Sequence, residues 1–249
     1  MSEVFRVLSV VDINTFFGLD RHRDVDWSLD TLRRLLDEHR VFRALTYSLR
    51  GVHFDFVLGN RETAAAAARD ERLVPVVTFD PRRYLDCVEE ARRCLGEGLR
   101  VFRVFPDVQG WTLSDLHFLR VMEILAEGQG ALMVRAAAPG QPSLAARVLG
   151  SLGIPVVLLG VGYSTFGELL AALLTSEHLY CDSHMFNTPG ACETVCREAG
   201  ADRLMLGTGL PERYFSSAYL MVERAELTED ERGAILGGNA ARVLLGQEV

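Results

Sequence analysis

The residues most able to do chemistry stand at the ends of apolar runs. Tyr180-Cys181-Asp182-Ser183-His184 closes one such run, and in an extended chain Tyr180, Asp182 and His184 share a side. A carboxylate beside an imidazole orients it and raises its basicity, which is how a general base is assembled. The same residues could equally serve as a strand-end cluster that hydrogen-bonds loop backbone. Arg103 and Arg135 each interrupt a run of Val, Leu, Phe and Met. A guanidinium inside an apolar strand is costly unless paired. Two roles are therefore open: neutralising Asp12, Asp107 and Asp182 in a structural network, or gripping an anionic ligand by bidentate contacts. His53-Phe54-Asp55 repeats the His/Asp alternation, but in what reads as an irregular loop.

Something must place these residues together, and the hydrophobic pattern says what. Apolar runs of strand length recur at Val7–Ile13, Phe42–Tyr47, Leu73–Phe79, Leu99–Phe105, Ala131–Ala136, Ile154–Leu159, Leu179–Ser183 and Arg203–Gly207. Most are continuous rather than alternating, as in parallel strands covered on both faces. Helix signatures lie between them: Ser28–Arg40, Arg61–Arg69 capped by Asn60, Arg82–Leu95 opened by Pro81, and Asp115–Glu127 capped by Ser114. Phe166–Ser176 and Pro189–Ala199 follow, then a helical tail at Phe215–Leu227, Thr228–Leu236 and Asn239–Leu245. Eight strand–helix repeats predict an α/β fold, a single (β/α)₈ TIM barrel spanning 1–249 with extra C-terminal helices. An open doubly wound sheet is the alternative.

Composition narrows the chemistry. All 26 basic residues are arginine, so there is no lysine for a Schiff base, a pyridoxal anchor, a phosphate loop or a carbamylated metal bridge. No G-x-G-x-x-G cluster or G-x-S-x-G elbow occurs, which leaves nucleotide cofactors and serine-hydrolase chemistry unsupported. The expectation is no cofactor. A net charge of −8 with interspersed signs argues against nucleic-acid binding. No apolar stretch suits a membrane span and no leader is legible, so a cytoplasmic protein is expected. Five dispersed cysteines without a CxxC pair read as reduced thiols.

At the predicted strand ends the chain resembles the amidohydrolase-related family of TIM-barrel, metal-dependent hydrolases and decarboxylases. Where that family has D-x-H-x-H-x-G after the first strand, this chain reads Asp12-Ile13-Asn14-Thr15-Phe16-Phe17-Gly18. Its fourth strand, Gly98 to Pro106, is similar to the family's basic-residue-then-proline strand. The ligand histidines of the fifth and sixth strands are matched by Arg135 and Gly160. The G-[ST]-D-x-P of the eighth is matched by Gly207-Thr208-Gly209-Leu210-Pro211.

The resemblance implies the barrel, yet the five metal seats hold Asn14, Phe16, Arg135, Gly160 and Gly209. Phe and Gly offer no donor side chain, and Arg brings a cation without a lone pair. No metal is therefore expected. The expected function is metal-independent action on a small anionic molecule at the barrel mouth, by hydrolysis or decarboxylation-type cleavage. His184 and Asp182 would be catalytic, and Arg135, Arg103, Asn14 and His53 would bind substrate. The rival is a non-catalytic binding or regulatory subunit, its mouth plugged by Phe16, Phe17, Tyr163 or Met185. Assembly into a homo-oligomer is compatible with either.

Overall fold

The computed structural model describes residues 9–247. Nine strand segments follow in order: β1 (Val11–Phe17), β2 (Arg43–Ser48), β3 (Leu73–Pro75), β4 (Val77–Thr78), β5 (Val101–Val104), β6 (Ala131–Arg135), β7 (Val156–Leu159), β8 (Leu179–Asp182) and β9 (Leu204–Met205). Every pairing is parallel. β3 and β4 are one strand interrupted at Val76, whose N–H still donates to Thr46 O at 2.8 Å. Pro75 has no amide hydrogen, which weakens the ladder at that point. Closure is made by the Ile13 amide donating to Leu206 O and the Phe16 amide to Leu210 O, each at 3.0 Å, with Thr15 bridged in parallel to Leu210. The result is an eight-stranded TIM barrel.

Alternation along each strand divides the core in two. Phe102, Val104, Leu132, Val134, Val156 and Leu158 face outward into the helices. Val101, Met133, Val157 and Leu159 face the interior, with Ala240 and Leu244 packed on them from the C-terminal helix. Continuing this period places Arg103, Arg135 and Asp182 on the interior side, toward the C-terminal mouth.

The helices are α1 (Leu29–Glu38), α2 (Arg50–His53), α3 (Phe56–Ala67), α4 (Tyr84–Gly96), α5 (Pro106–Gln109), α6 (Leu116–Glu127), α7 (Gln141–Leu149), α8 (Phe166–Thr175), α9 (Ala191–Ala199), α10 (Phe215–Glu223), α11 (Glu229–Gly233) and α12 (Asn239–Leu244). Ser28 caps α1, its Oγ accepting from Thr31 N–H at 3.2 Å. No helix is long and apolar enough to cross a membrane among the described residues.

Several expectations need correction. The first strand runs four residues later than Val7–Ile13, and positions 7 and 8 lie outside the described residues. Thr15, Phe16 and Phe17 continue the strand because all three are buried there, and Asn14 is accepted inside because each end of its side-chain amide has a partner. Asn60 caps nothing. Asp55 caps α3, accepting from Leu58 N–H at 2.9 Å, and Asn60 is buried mid-helix. From there it donates to Thr78 O and Glu90 and accepts from Thr78 N–H, tying α3 to β4 and α4. α7 was not foreseen. His53 ends the short helix α2 rather than sitting in an irregular loop.

Candidate active site at the barrel mouth

The interior ends of β1, β5 and β8 meet at Asn14. Its Nδ2 donates to Asp182 Oδ2 at 3.1 Å, and its Oδ1 accepts from Arg103 Nη1 at 2.7 Å. The other Asp182 oxygen accepts from Gly160 N–H at 2.9 Å. Asp12 is satisfied in parallel, by the backbone amides of Asn14 and Thr208 at 3.0 Å each and by the Thr208 hydroxyl. A register shift in β1 between Asp12 and Thr15 turns Asn14 into this network. Arg103 is itself clamped, its guanidinium lying 4.8 Å from the Tyr47 ring centre and 5.2 Å from that of Phe105.

His184 stands above this floor. β8 ends at Asp182, so strand alternation stops before His184, and the expected Asp182–His184 pair does not form. Asp182 spends its oxygens on Asn14 and Gly160, while among the described residues neither imidazole nitrogen has a hydrogen-bond partner and both are shut off from solvent. The ring fills space left by Gly209 and only borders the Gly160 position. A Cβ on Gly160 would lie 3.8 Å from His184 Nδ1 and 3.9 Å from Arg135 Nε. One on Gly209 would lie 2.5 Å from His184 Nε2 and 3.1 Å from Arg213 Cγ. Arg135 thus shares the Gly160 position with the Nδ1 side of the ring, and the Arg213 stem shares the Gly209 position with the Nε2 side.

The electrostatics follow from this geometry. Burial, with Arg103, Arg213 and Arg135 nearby, pushes His184 down to about 3, so the imidazole is neutral at ordinary pH. Burial pushes Asp182 up to about 6 against the lowering effect of its Gly160 and Asn14 hydrogen bonds and Arg103. Asp12 is likewise raised to about 6 by burial.

Acid should therefore pull in opposite directions. Asp12 and Asp182 titrate higher folded than unfolded, so their contribution is complete below about pH 4 and is lost as pH rises through 6. His184 titrates lower folded than unfolded, so acid favours the unfolded chain as pH falls from 6.5 toward 3. Urea denaturation should show His184→Gln gaining on the intact protein by about 1–2 kcal/mol between pH 7 and pH 5. A stability difference that ignores pH would count against a buried neutral His184.

Elsewhere on this face, Arg135 is largely exposed and reaches Asp107 at 3.7 Å, which also accepts from Gln141 Nε2 at 2.7 Å. His53 stands apart: its Nε2 lies 3.7 Å from Asp20 and its ring neighbours are His22 and Phe54, and among the described residues no hydrogen bond, ion pair or ring contact joins it to Asn14, Arg103, Asp182, Arg135 or His184. Of the four plug candidates, Phe16 packs into the mouth beside Trp27 and Tyr47, with ring centres 5.3 and 5.9 Å away. Phe17 faces the helices, Met185 is half-buried, and Tyr163 is exposed. Arg23, over the Trp27 ring, pairs with Glu212 and so ties the loop after β1 to the loop after β9. Sequence reasoning missed Arg213. The available signal was its place in the loop after the last strand, on the face where barrel sites are built.

Comparison with known proteins places this geometry in context. A family model described as amidohydrolase matches residues 26–245. No curated protein matches the sequence. The chain superposes on 5-carboxyvanillate decarboxylase LigW from Sphingomonas paucimobilis with a TM-score of 0.76 at 17% identity, over 96% of this chain and 99% of that one. For 2,6-dihydroxybenzoate decarboxylase from Rhizobium the TM-score is 0.72 at 14% identity, over 94% and 98%. For an amidohydrolase from Burkholderia multivorans with bound zinc it is 0.71 at 17% identity, over 94% and 98%. At these identities the likeness speaks for the fold.

Zinc in that neighbour raises the question of whether these residues fit a metal. They do not. Both oxygens of Asp12 and of Asp182 are committed to hydrogen bonds, and His184 lies among three arginines. Among the described residues no three His, Cys, Asp or Glu side chains gather to hold an ion. A guanidinium beside the imidazole repels a divalent cation and already supplies positive charge.

Proposed function

Since the chain belongs to the amidohydrolase family, we propose that its mouth takes a small organic anion without a metal ion and cleaves it by hydrolysis or decarboxylation. The observation that carries this reading is His184, two unpartnered nitrogens with Arg103, Arg135 and Arg213 as nearby charges. The arginines receive the anionic group and stabilise charge that develops on it. His184, neutral at ordinary pH, accepts a proton once those side chains draw toward the ligand, from the attacking water in hydrolysis or from solvent in decarboxylation, and returns it to the leaving group or to the carbon that loses carbon dioxide. Asp182, raised to about 6, is mostly ionised at neutral pH and accepts from Asn14 and Gly160 beneath it. Asn14 and Arg103 position Asp182 and set the floor.

A carboxylate fits a pair of guanidinium forks, and two structural neighbours are named for aromatic acids. Calorimetric titration with 2,6-dihydroxybenzoate tests the proposal. Affinity should survive chelator treatment and fall about tenfold or more in Arg135→Ala, as loss of a charge-assisted hydrogen bond predicts. Binding that appears only after zinc or manganese is added would defeat the metal-free reading.

One observation favours a non-catalytic binding subunit instead: both His184 nitrogens are closed to solvent, and Phe16 and Trp27 pack into the mouth. Release of carbon dioxide, abolished in His184→Gln while binding persists, selects the enzyme. Binding without turnover in the intact protein selects the subunit.

A further inference from the structure

Charge accounting around His184 singles out one side chain. Arg103 is held by Asn14 Oδ1 and by two aromatic rings. Arg135 has Asp107 at 3.7 Å. Arg213, among the described residues, has no hydrogen-bond or ion-pair partner for its guanidinium; only its backbone amide is engaged, donating to Gly209 O at 3.0 Å. Glu212 beside it is taken by Arg23. Arg213 is exposed to solvent. Its Cγ nevertheless lies against the Gly209 position that also abuts His184 Nε2.

From this we infer that Arg213 is a positioning and specificity residue that covers the Nε2 edge of His184 and offers its free cation to an anionic ligand. An anion docking at the mouth draws Arg213 outward, so ligand capture and exposure of the imidazole are one movement. The backbone tie to Gly209 anchors the base of the side chain, and the long arginine stem supplies the reach. This rests on the reading of the mouth as an anion site.

The test uses the full chain, with benzoate as the probe in calorimetry and diethyl pyrocarbonate as the probe of His184, read by mass spectrometry. In Arg213→Ala, His184 should be modified severalfold faster at pH 6, because neutral imidazole loses its cover. Benzoate affinity should fall about tenfold, with Arg213→Lys recovering part of it. NMR titration should place His184 at a higher pH in Arg213→Ala, since one nearby cation is gone. If His184 stays unreactive or benzoate binding is unchanged in Arg213→Ala, the inference is overturned. If Arg135→Ala alone then weakens benzoate, the mouth remains an anion site. If neither arginine matters, both readings fall.

Discussion

Replacing Arg103 with methionine should destabilise the protein by about 2–3 kcal/mol at pH 7, the range for losing a hydrogen bond to a charged group and leaving its buried partner unmet. Arg103 is 8% exposed, donates to Asn14 Oδ1 and lowers the Asp182 carboxyl from the interior side of the barrel. Without it Asn14 loses its donor, and Asp182 must be ionised in the interior with less positive potential around it. The loss should therefore depend on pH. Asp182 already sits at about 6 and would rise further in the variant. By pH 5 it is protonated, and part of the penalty disappears. Urea denaturation at both pH values reads this directly. An equal loss at pH 5 and pH 7 would mean that the arginine contributes packing between Tyr47 and Phe105 and little else.

Gly209→Ala should cost about 2–3 kcal/mol, from two separable sources. Gly209 has φ +79°, where a residue with a Cβ is strained by roughly 1–2 kcal/mol. The remainder is steric: the new methyl would lie 2.5 Å from His184 Nε2 and 2.9 Å from its Cδ2. Relief would require the ring to shift toward Gly160 and Arg135, where a Cβ would meet it at 3.8 Å. In a His184→Ala background the backbone strain and the 3.1 Å approach to the Arg213 stem should remain, so the double-mutant cycle should show coupling of about 1 kcal/mol or more. Additive effects would mean that ring and glycine do not compete for space.

Legibility differed sharply between the barrel and its mouth. The strands were readable because Leu132-Met133-Val134 and Val156-Val157-Leu158 are buried on both faces, and such burial demands apolar residues whatever their neighbours. Errors came where a polar residue was answered from far along the chain. Asn14 looked like the end of β1, but Asp182 and Arg103, distant in sequence, let the strand continue through it. Asn60 looked like a cap, and its partners lie on β4 and α4.

The residues of the mouth were largely visible in the chain, since Arg103, Arg135, Asp182 and His184 sit near or just past strand ends and Asn14 within β1. Their pairing was not. Alternation argued for an Asp182–His184 couple, whereas the turn after Asp182 carries His184 away and gives the carboxylate to Asn14 and Gly160. Sequence by itself therefore determined the eightfold repeat, the lack of lysine chemistry and the set of groups available. Tertiary structure alone decided which of them share hydrogen bonds, that His184 is neutral between arginines, and that Arg213 joins them. The reason is physical: hydrophobic periodicity is a local property of the chain, while desolvation and charge proximity depend on strands separated by up to two hundred residues.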